Sequence, residues 1–75
     1  MEKIMLKFAQ RLKELRKEKG LTQVEMAKFI GRTESNYQKL EYGTVNVPAL
    51  TLEKLADFFD VSTDYLLGRD DRRKP

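Results

Sequence analysis

The sequence predicts an all-α fold of five short helices packed around one small core. Apolar side chains recur at spacings of three and four residues, the period of a helix with one buried face. Each glycine stands singly just after such a stretch, at Gly20, Gly31, Gly43 and Gly68. Glycine readily takes the left-handed conformation that ends a helix. With 75 residues, the chain has room for one core only.

The first helix is predicted over residues 4–19 and ends before Gly20. Its buried face is formed by four apolar residues, Met5, Phe8, Leu12 and Leu15. Most of its basic side chains lie on the opposite face and point to water. Arg16 lies beside the apolar stripe instead, so it is placed to meet a group on another helix.

A second helix is predicted to begin at Thr22 and to end at Gly31. The Thr22 hydroxyl can accept the backbone N–H of Glu25 while the Glu25 carboxylate accepts the N–H of Thr22, a reciprocal pattern that starts helices. The apolar contacts of this helix come from Met26, Ala27 and Ile30. Because it is only about two turns long, it depends on its neighbours for stability.

A third helix follows after a tight turn, over residues 33–42. Thr33 is a suitable N-cap, and Tyr37 and Leu40, three residues apart, form the inward side. On a helical wheel Thr33 and Glu41 also turn toward the interior. The outward and flanking side chains are polar or amphipathic: Glu34, Ser35, Asn36, Gln38, Lys39 and Tyr42.

The polar face of this third helix has two interpretations. Its hydroxyl, amide, ammonium and carboxylate groups are the kinds that meet base edges in the major groove of DNA. An ordinary solvated helix face has the same composition. The charge distribution leaves both interpretations open. Residues 1–19 carry seven basic and three acidic groups whereas residues 44–67 carry one and four, but a lysine-rich first helix is also common on soluble helical bundles. Positive charge beside the motif suits contact with phosphates.

A fourth helix is predicted from Ala49 to Phe59, after a short extended loop. The loop is expected because Pro48 disfavours helical geometry in the residue before it. The buried stripe of this helix is Leu52, Leu55, Ala56 and Phe59.

A fifth helix of little more than one turn is predicted over residues 63–67, with Ser62 as its cap. Beyond a domain of residues 1–68, the segment 69–75 contains no apolar side chain that could be buried. This segment is therefore predicted to be a flexible charged tail.

The composition argues against several classes of protein. The chain contains neither histidine nor cysteine, so we expect no disulfide, no metal site and no cofactor. Ser35 and Ser62 have no histidine that could act as their base, which favours a binding protein over an enzyme. The sequence has no apolar run of the length of a signal peptide or a membrane span, and a cytoplasmic location is expected.

Three segments together resemble the Cro and lambda-repressor superfamily of helix-turn-helix proteins, also called the XRE family. They are RLKELRKEKGLTQVEMAKFIG, YQKLEYG and LEKLADFFDVSTDYLLG, and the resemblance covers about residues 8–68. It implies a lambda-repressor-like DNA-binding domain whose helix-turn-helix spans residues 22–43. It also implies a sequence-specific transcriptional regulator of double-stranded DNA, and we expect a repressor.

The resemblance also implies roles for individual residues. The base-reading positions are Thr33, Glu34, Ser35 and Lys39, with Asn36 and Gln38 as flanking candidates. The phosphate contacts are Gln23 and Thr22 at the start of the second helix, and Thr44 and Asn46 in the loop. Gln23 is also expected to brace the recognition helix. Arg16 and Glu41 are expected to form a structural ion pair. The loop carries no Lys or Arg, unlike many relatives, which weakens its expected contribution.

A homodimer on a palindromic operator is the expected assembly. Phe58 lies far from the buried stripe of its helix, and with Tyr65 and Leu67 it could form an exposed apolar patch for the dimer contact. Two alternatives remain open. One is the DNA-binding antitoxin of a toxin–antitoxin pair, and the other is a helical bundle that binds proteins rather than DNA, with Val24 and Phe29 as its apolar surface.

Overall fold

The computed structural model describes residues 5–74; residues 1–4 and Pro75 lie outside the described part. It contains five helices: α1 Leu6–Glu18, α2 Gln23–Ile30, α3 Glu34–Tyr42, α4 Ala49–Phe59 and α5 Thr63–Leu67. The predicted all-α, five-helix class is confirmed. Of the helix predicted over residues 4–19, residue 4 lies outside the described part, and the described helix begins at Leu6 and ends at Glu18.

The start of α2 has both arms of the predicted capping box. The Glu25 N–H donates to Thr22 Oγ1 at 3.1 Å, and the Thr22 N–H donates to Glu25 Oε1 at 2.9 Å. The bond that the Thr22 N–H donates to the carboxylate lowers the pKa of Glu25. Gly31 ends the helix with φ of 71°, a conformation that costs a glycine little.

The N-cap of α3 is Thr33, whose hydroxyl oxygen accepts the Asn36 N–H at 3.2 Å. The wheel prediction that Thr33 turns toward the interior is wrong, because the cap residue has extended rather than helical backbone angles and its side chain is exposed. A helical wheel does not apply to a residue outside the helix.

One core joins all five helices. Its buried residues are Phe8, Leu12, Leu15, Met26, Ala27, Tyr37, Leu40, Leu55, Ala56, Phe59, Val61, Tyr65 and Leu66. Met5, Ile30 and Leu52, which the apolar periodicity also assigns to the interior, are half-buried at the margin of this core. None of the five described helices is both long and apolar enough to cross a membrane.

The end of α3 is docked closely against the start of α1. The Met5 N–H donates to the Gly43 carbonyl at 3.0 Å, and Gly43 has φ of 77°. A Cβ at this position would lie 3.0 Å from the Met5 carbonyl oxygen, so any side chain would force the two segments apart. This contact therefore helps to set the orientation of α3.

Residues 69–74, which we call the C-terminal strap, lie against α1 and α5. Arg73 forms an ion pair with Glu18 at 2.5 Å, and its carbonyl accepts the Ser62 N–H at 2.6 Å. Arg11 donates to the carbonyl of Asp70 at 2.7 Å and to the Asp71 carboxylate at 2.8 Å. The flexibility of residues 69–75 stays a prediction; these polar contacts were not expected from a segment without apolar residues.

Candidate nucleic-acid interface

Helix α3 has two faces of different character. On the inward face Tyr37 is fully buried and Glu41 is only 7% exposed. On the outward face the predicted base-reading residues Thr33, Glu34, Ser35, Asn36 and Lys39 are all exposed. The outward side chains are therefore free to meet a ligand, whereas the inward ones hold the helix in place.

The inward face is centred on the carboxylate of Glu41. Arg16 Nε lies 2.5 Å from Glu41 Oε2, and Arg16 Nη2 lies 3.1 Å from Oε1. The Tyr37 hydroxyl donates to Oε2 at 2.5 Å, and Gln23 Nε2 donates to Oε1 at 3.2 Å. Both carboxylate oxygens thus accept two bonds each, from residues of α1, α2 and α3. We call these four residues, Arg16, Gln23, Tyr37 and Glu41, the Glu41 cluster.

The charge state of the Glu41 cluster follows from its geometry. Burial alone would raise the pKa of Glu41, but the hydrogen bonds from Arg16, Tyr37 and Gln23 outweigh it and lower the pKa. Burial and the bond to Glu41 raise the pKa of the Tyr37 hydroxyl. Near neutral pH the cluster therefore holds an ionised carboxylate, a guanidinium and a neutral phenol, and it ties three helices together.

Gln23 and Gln38 are bonded to each other. Gln38 Nε2 donates to Gln23 Oε1 at 3.1 Å, and both residues are half-buried. The resemblance assigns Gln23 to phosphate contact and Gln38 to the flank of the reading face. It also implies that Gln23 braces the recognition helix, and the bonds of Gln23 to Glu41 and Gln38 of α3 agree with that role. It does not name Gln38 as a partner, and neither does the helical wheel, because the residues lie on different helices.

Shallow depressions flank the exposed face of α3. One is bordered by the lysines of α1, Lys13 and Lys17, together with Gln23 and Glu34. Another, on the opposite flank, is bordered by Arg32, Asn36, Lys39 and Asn46. Three cations that the sequence did not single out therefore border the face: Lys13, Lys17 and Arg32. The surplus of basic residues in positions 1–19 was the available signal for the two lysines.

The other predicted phosphate contacts differ in what they can offer. Thr22 and Asn46 are exposed, whereas Thr44 is half-buried. The Thr44 N–H already donates to the Lys39 carbonyl at 3.3 Å as part of the helix end. The hydroxyl of Thr44 is therefore the group that it can offer to a phosphate.

The predicted dimer patch is largely covered within the chain. Tyr65 is only 7% exposed, because the guanidinium of Arg11 lies 4.1 Å and that of Arg73 5.6 Å from its ring centroid. The expectation of an exposed Tyr65 is wrong for this reason. Phe58 and Leu67 are half-buried. Phe58 packs on Phe29 with their ring centroids 4.5 Å apart, so Phe29 is not a free surface either.

A family model for helix-turn-helix domains matches residues 12–66, most of the chain. The chain therefore belongs to the XRE-type helix-turn-helix family, and the resemblance found in the sequence is confirmed. The matched region contains all of α2 and α3 and the exposed face described above.

Particular relatives share this region. The chain is 45% identical over 60 residues to the SPbeta prophage-derived uncharacterized HTH-type transcriptional regulator YonR of Bacillus subtilis (strain 168), a match that covers 80% of this chain and 56% of YonR. It is 38% identical over 69 residues to the HTH-type transcriptional regulator ImmR of the same organism, covering 92% of this chain and 54% of ImmR. The chain thus spans little more than half the length of these relatives.

A solved structure shows the same fold. The restriction-modification controller protein C.AhdI from Aeromonas hydrophila superposes with a TM-score of 0.72 at 39% sequence identity. The superposition covers 83% of this chain and 94% of the controller protein. This likeness supports the five-helix arrangement independently of the sequence pattern.

Proposed function

We propose that this chain binds double-stranded DNA as a sequence-specific transcriptional regulator, with α3 in the major groove. The observation that carries the proposal is the exposed polar face of α3 in a helix-turn-helix family member, presented by a helix whose other face is fully bonded. A helix that only faces water does not require basic side chains on both of its flanks. The relatives named as transcriptional regulators support the same role.

Base reading is assigned to the exposed residues of α3. The Lys39 ammonium suits the O6 and N7 acceptors of guanine, and the Glu34 carboxylate suits the N4 donor of cytosine. Thr33, Ser35 and Asn36 complete the reading face. Glu34 also lies in the first turn of α3, where a carboxylate stabilises a helix without any ligand.

Phosphate contact is assigned to residues beside this face. Gln23, Thr22, the Thr44 hydroxyl and Asn46 come from the sequence prediction. The depressions beside α3 add Lys13, Lys17 and Arg32. These cations compensate for a loop that has no Lys or Arg of its own. Phosphate contacts of this kind make affinity depend strongly on salt.

A homodimer that represses transcription from a palindromic operator is the assembly that we propose. Two recognition helices would then lie about one DNA turn, ~34 Å, apart. Phe58 and Leu67, both half-buried, are the apolar residues available to the dimer contact, whereas Tyr65 is covered by Arg11 and Arg73. A non-enzymatic role in the cytoplasm, without metal or cofactor, belongs to the same proposal.

Mobility-shift titration on duplexes selected from random-sequence DNA tests the proposed function. With about four phosphate contacts per subunit, log K should fall against log salt with a slope near −7 for a dimer, using ~0.9 per phosphate. Lys17→Ala should reduce this slope, whereas Lys54→Ala, the same charge change on α4 over the ring of Phe29, should not. Absence of any retained duplex at low salt would exclude DNA binding.

Sedimentation tests the assembly separately. Phe58→Glu should shift the protein toward monomer and weaken binding to palindromic sites more than to single half-sites. A variant that associates and binds palindromes like the parent would exclude Phe58 from the dimer contact.

A further inference from the structure

The bond between Gln38 and Gln23 gives Gln38 a role other than base reading. Gln38 Nε2 lies 3.1 Å from Gln23 Oε1, and Gln23 Nε2 lies 3.2 Å from Glu41 Oε1. The three side chains form a continuous relay from the buried ion pair to the edge of the exposed face of α3. Gln38 is half-buried, unlike its exposed neighbour Lys39.

The orientation of the two amide groups in this relay follows from the negative charge of Glu41. The Glu41 carboxylate, paired with Arg16, can only accept hydrogen bonds. Gln23 must therefore turn its NH₂ group toward Glu41, which turns its carbonyl oxygen toward Gln38. That oxygen needs a donor, so Gln38 in turn presents its own NH₂ group. A 180° flip of either side-chain amide would place two hydrogen-bond acceptors against each other.

We propose that Gln38 is a positioning residue that holds the Gln23 amide in the orientation required for phosphate contact. An amide NH₂ group has two N–H donors, and one of those on Gln23 is used by Glu41. The other is the donor left for a phosphate, beside Lys17 and Thr22 in the same depression. Gln38 keeps this donor in place because it occupies the Gln23 carbonyl. The inference rests on the proposed DNA binding and reassigns Gln38 from the reading face.

The sharpest test is Gln38→Met, which keeps the length of the side chain and removes the donor. Binding should weaken by about three- to tenfold, the effect of losing one ordinary hydrogen bond between neutral groups. The factor should be equal across a selected duplex and a panel of its single-base-pair variants. In a Gln23→Ala background, Gln38→Met should have no further effect. Lys39→Ala serves as the matched control on the same helix, and its loss should vary with the base pair.

Three outcomes would overturn the assignment: a loss confined to one base pair, a loss that persists in the Gln23→Ala background, or unchanged binding. NMR of the free protein separates this inference from the proposed function. The side-chain NH₂ signals of Gln23 should shift in Gln38→Met and stay in place in Lys39→Ala. Unmoved signals would exclude the relay even if DNA is bound, and a shift without any DNA binding would retain the relay while excluding the proposed function.

Discussion

The two faces of α3 differ in how many of their hydrogen bonds are already made. On the inward face, the Glu41 carboxylate accepts four bonds, from Arg16 twice, Tyr37 and Gln23. On the outward face, Ser35 and Lys39 are exposed to solvent. The saturated face fixes the position of the helix, and the exposed face is left free to bind. Substitutions on the first should therefore change stability, and substitutions on the second should change DNA binding.

The largest effect is expected from Glu41→Ala. It leaves the Arg16 guanidinium buried without its partner, since only 12% of the Arg16 side chain is exposed. Loss of one member of a buried pair should lower the free energy of unfolding by about 3 kcal/mol. Chemical denaturation measures this value. Glu34→Ala, on the outward face of the same helix, is the matched control and should change stability little.

A double-substitution cycle sharpens the same comparison. Arg16→Ala and Glu41→Ala together should cost less than the sum of the single variants, because neither charge is then left alone in the core. Additive losses would mean that the two groups do not depend on each other, and the inward face would then owe its stability to apolar packing only.

Lys39→Ala tests the outward face. It should leave the unfolding free energy unchanged, yet lower binding to the best duplex by about 1–3 kcal/mol, with much smaller losses on duplexes changed at one particular base pair. Gln23→Ala should instead weaken binding to all duplexes by similar factors. Equal losses for Lys39→Ala on every duplex would indicate that Lys39 contacts a phosphate. The assignment of the reading face would then be wrong by at least one residue of helix rotation.

Acid should destabilise the fold in part by protonating Glu41. Because the pKa of Glu41 is lower in the folded chain than in the unfolded one, its stabilisation is present above the unfolded value of about 4.3. It is lost as pH falls through the folded value. Unfolding free energies measured across this window should fall steeply for the parent and less steeply for Glu41→Gln. Parallel profiles would assign the acid sensitivity to other carboxylates.

The smallest effect is expected in the C-terminal strap. Arg73 and Glu18 form an ion pair as short as that of Arg16 and Glu41, but about half of each side chain is exposed. Water and salt screen such a pair, so Arg73→Ala should alter thermal unfolding only slightly, and added salt should erase the difference. A salt-independent loss would indicate that Arg73 acts through its packing on Tyr65.

Much of the fold could be predicted because local signals coincide with it. Apolar spacing, the Thr22 capping box and single glycines place all five helices, with differences of one or two residues at both ends of α1 and at the start of α3. The Arg16–Glu41 pair was expected from the resemblance. The relay from Gln38 to Glu41 could not be predicted, because it depends on how two helices meet. The cover over Tyr65 was also missed, since it comes from the guanidinium groups of Arg11 in α1 and Arg73 in the C-terminal strap, and apolar spacing gives no signal for such contacts.

The buried phenol of Tyr37 gives the protein its own optical signal. The chain contains three tyrosines and no tryptophan, so its ultraviolet emission comes from tyrosine alone. The hydroxyl of Tyr37 is hydrogen-bonded to a carboxylate, an arrangement that quenches tyrosine fluorescence. Unfolding should therefore increase the fluorescence intensity. Because burial raises the pKa of this phenol, its phenolate absorption should be absent from the folded protein in mild alkali. It should appear only as the chain unfolds at higher pH, so that the Tyr37 phenolate reports the opening of the Glu41 cluster without an added label.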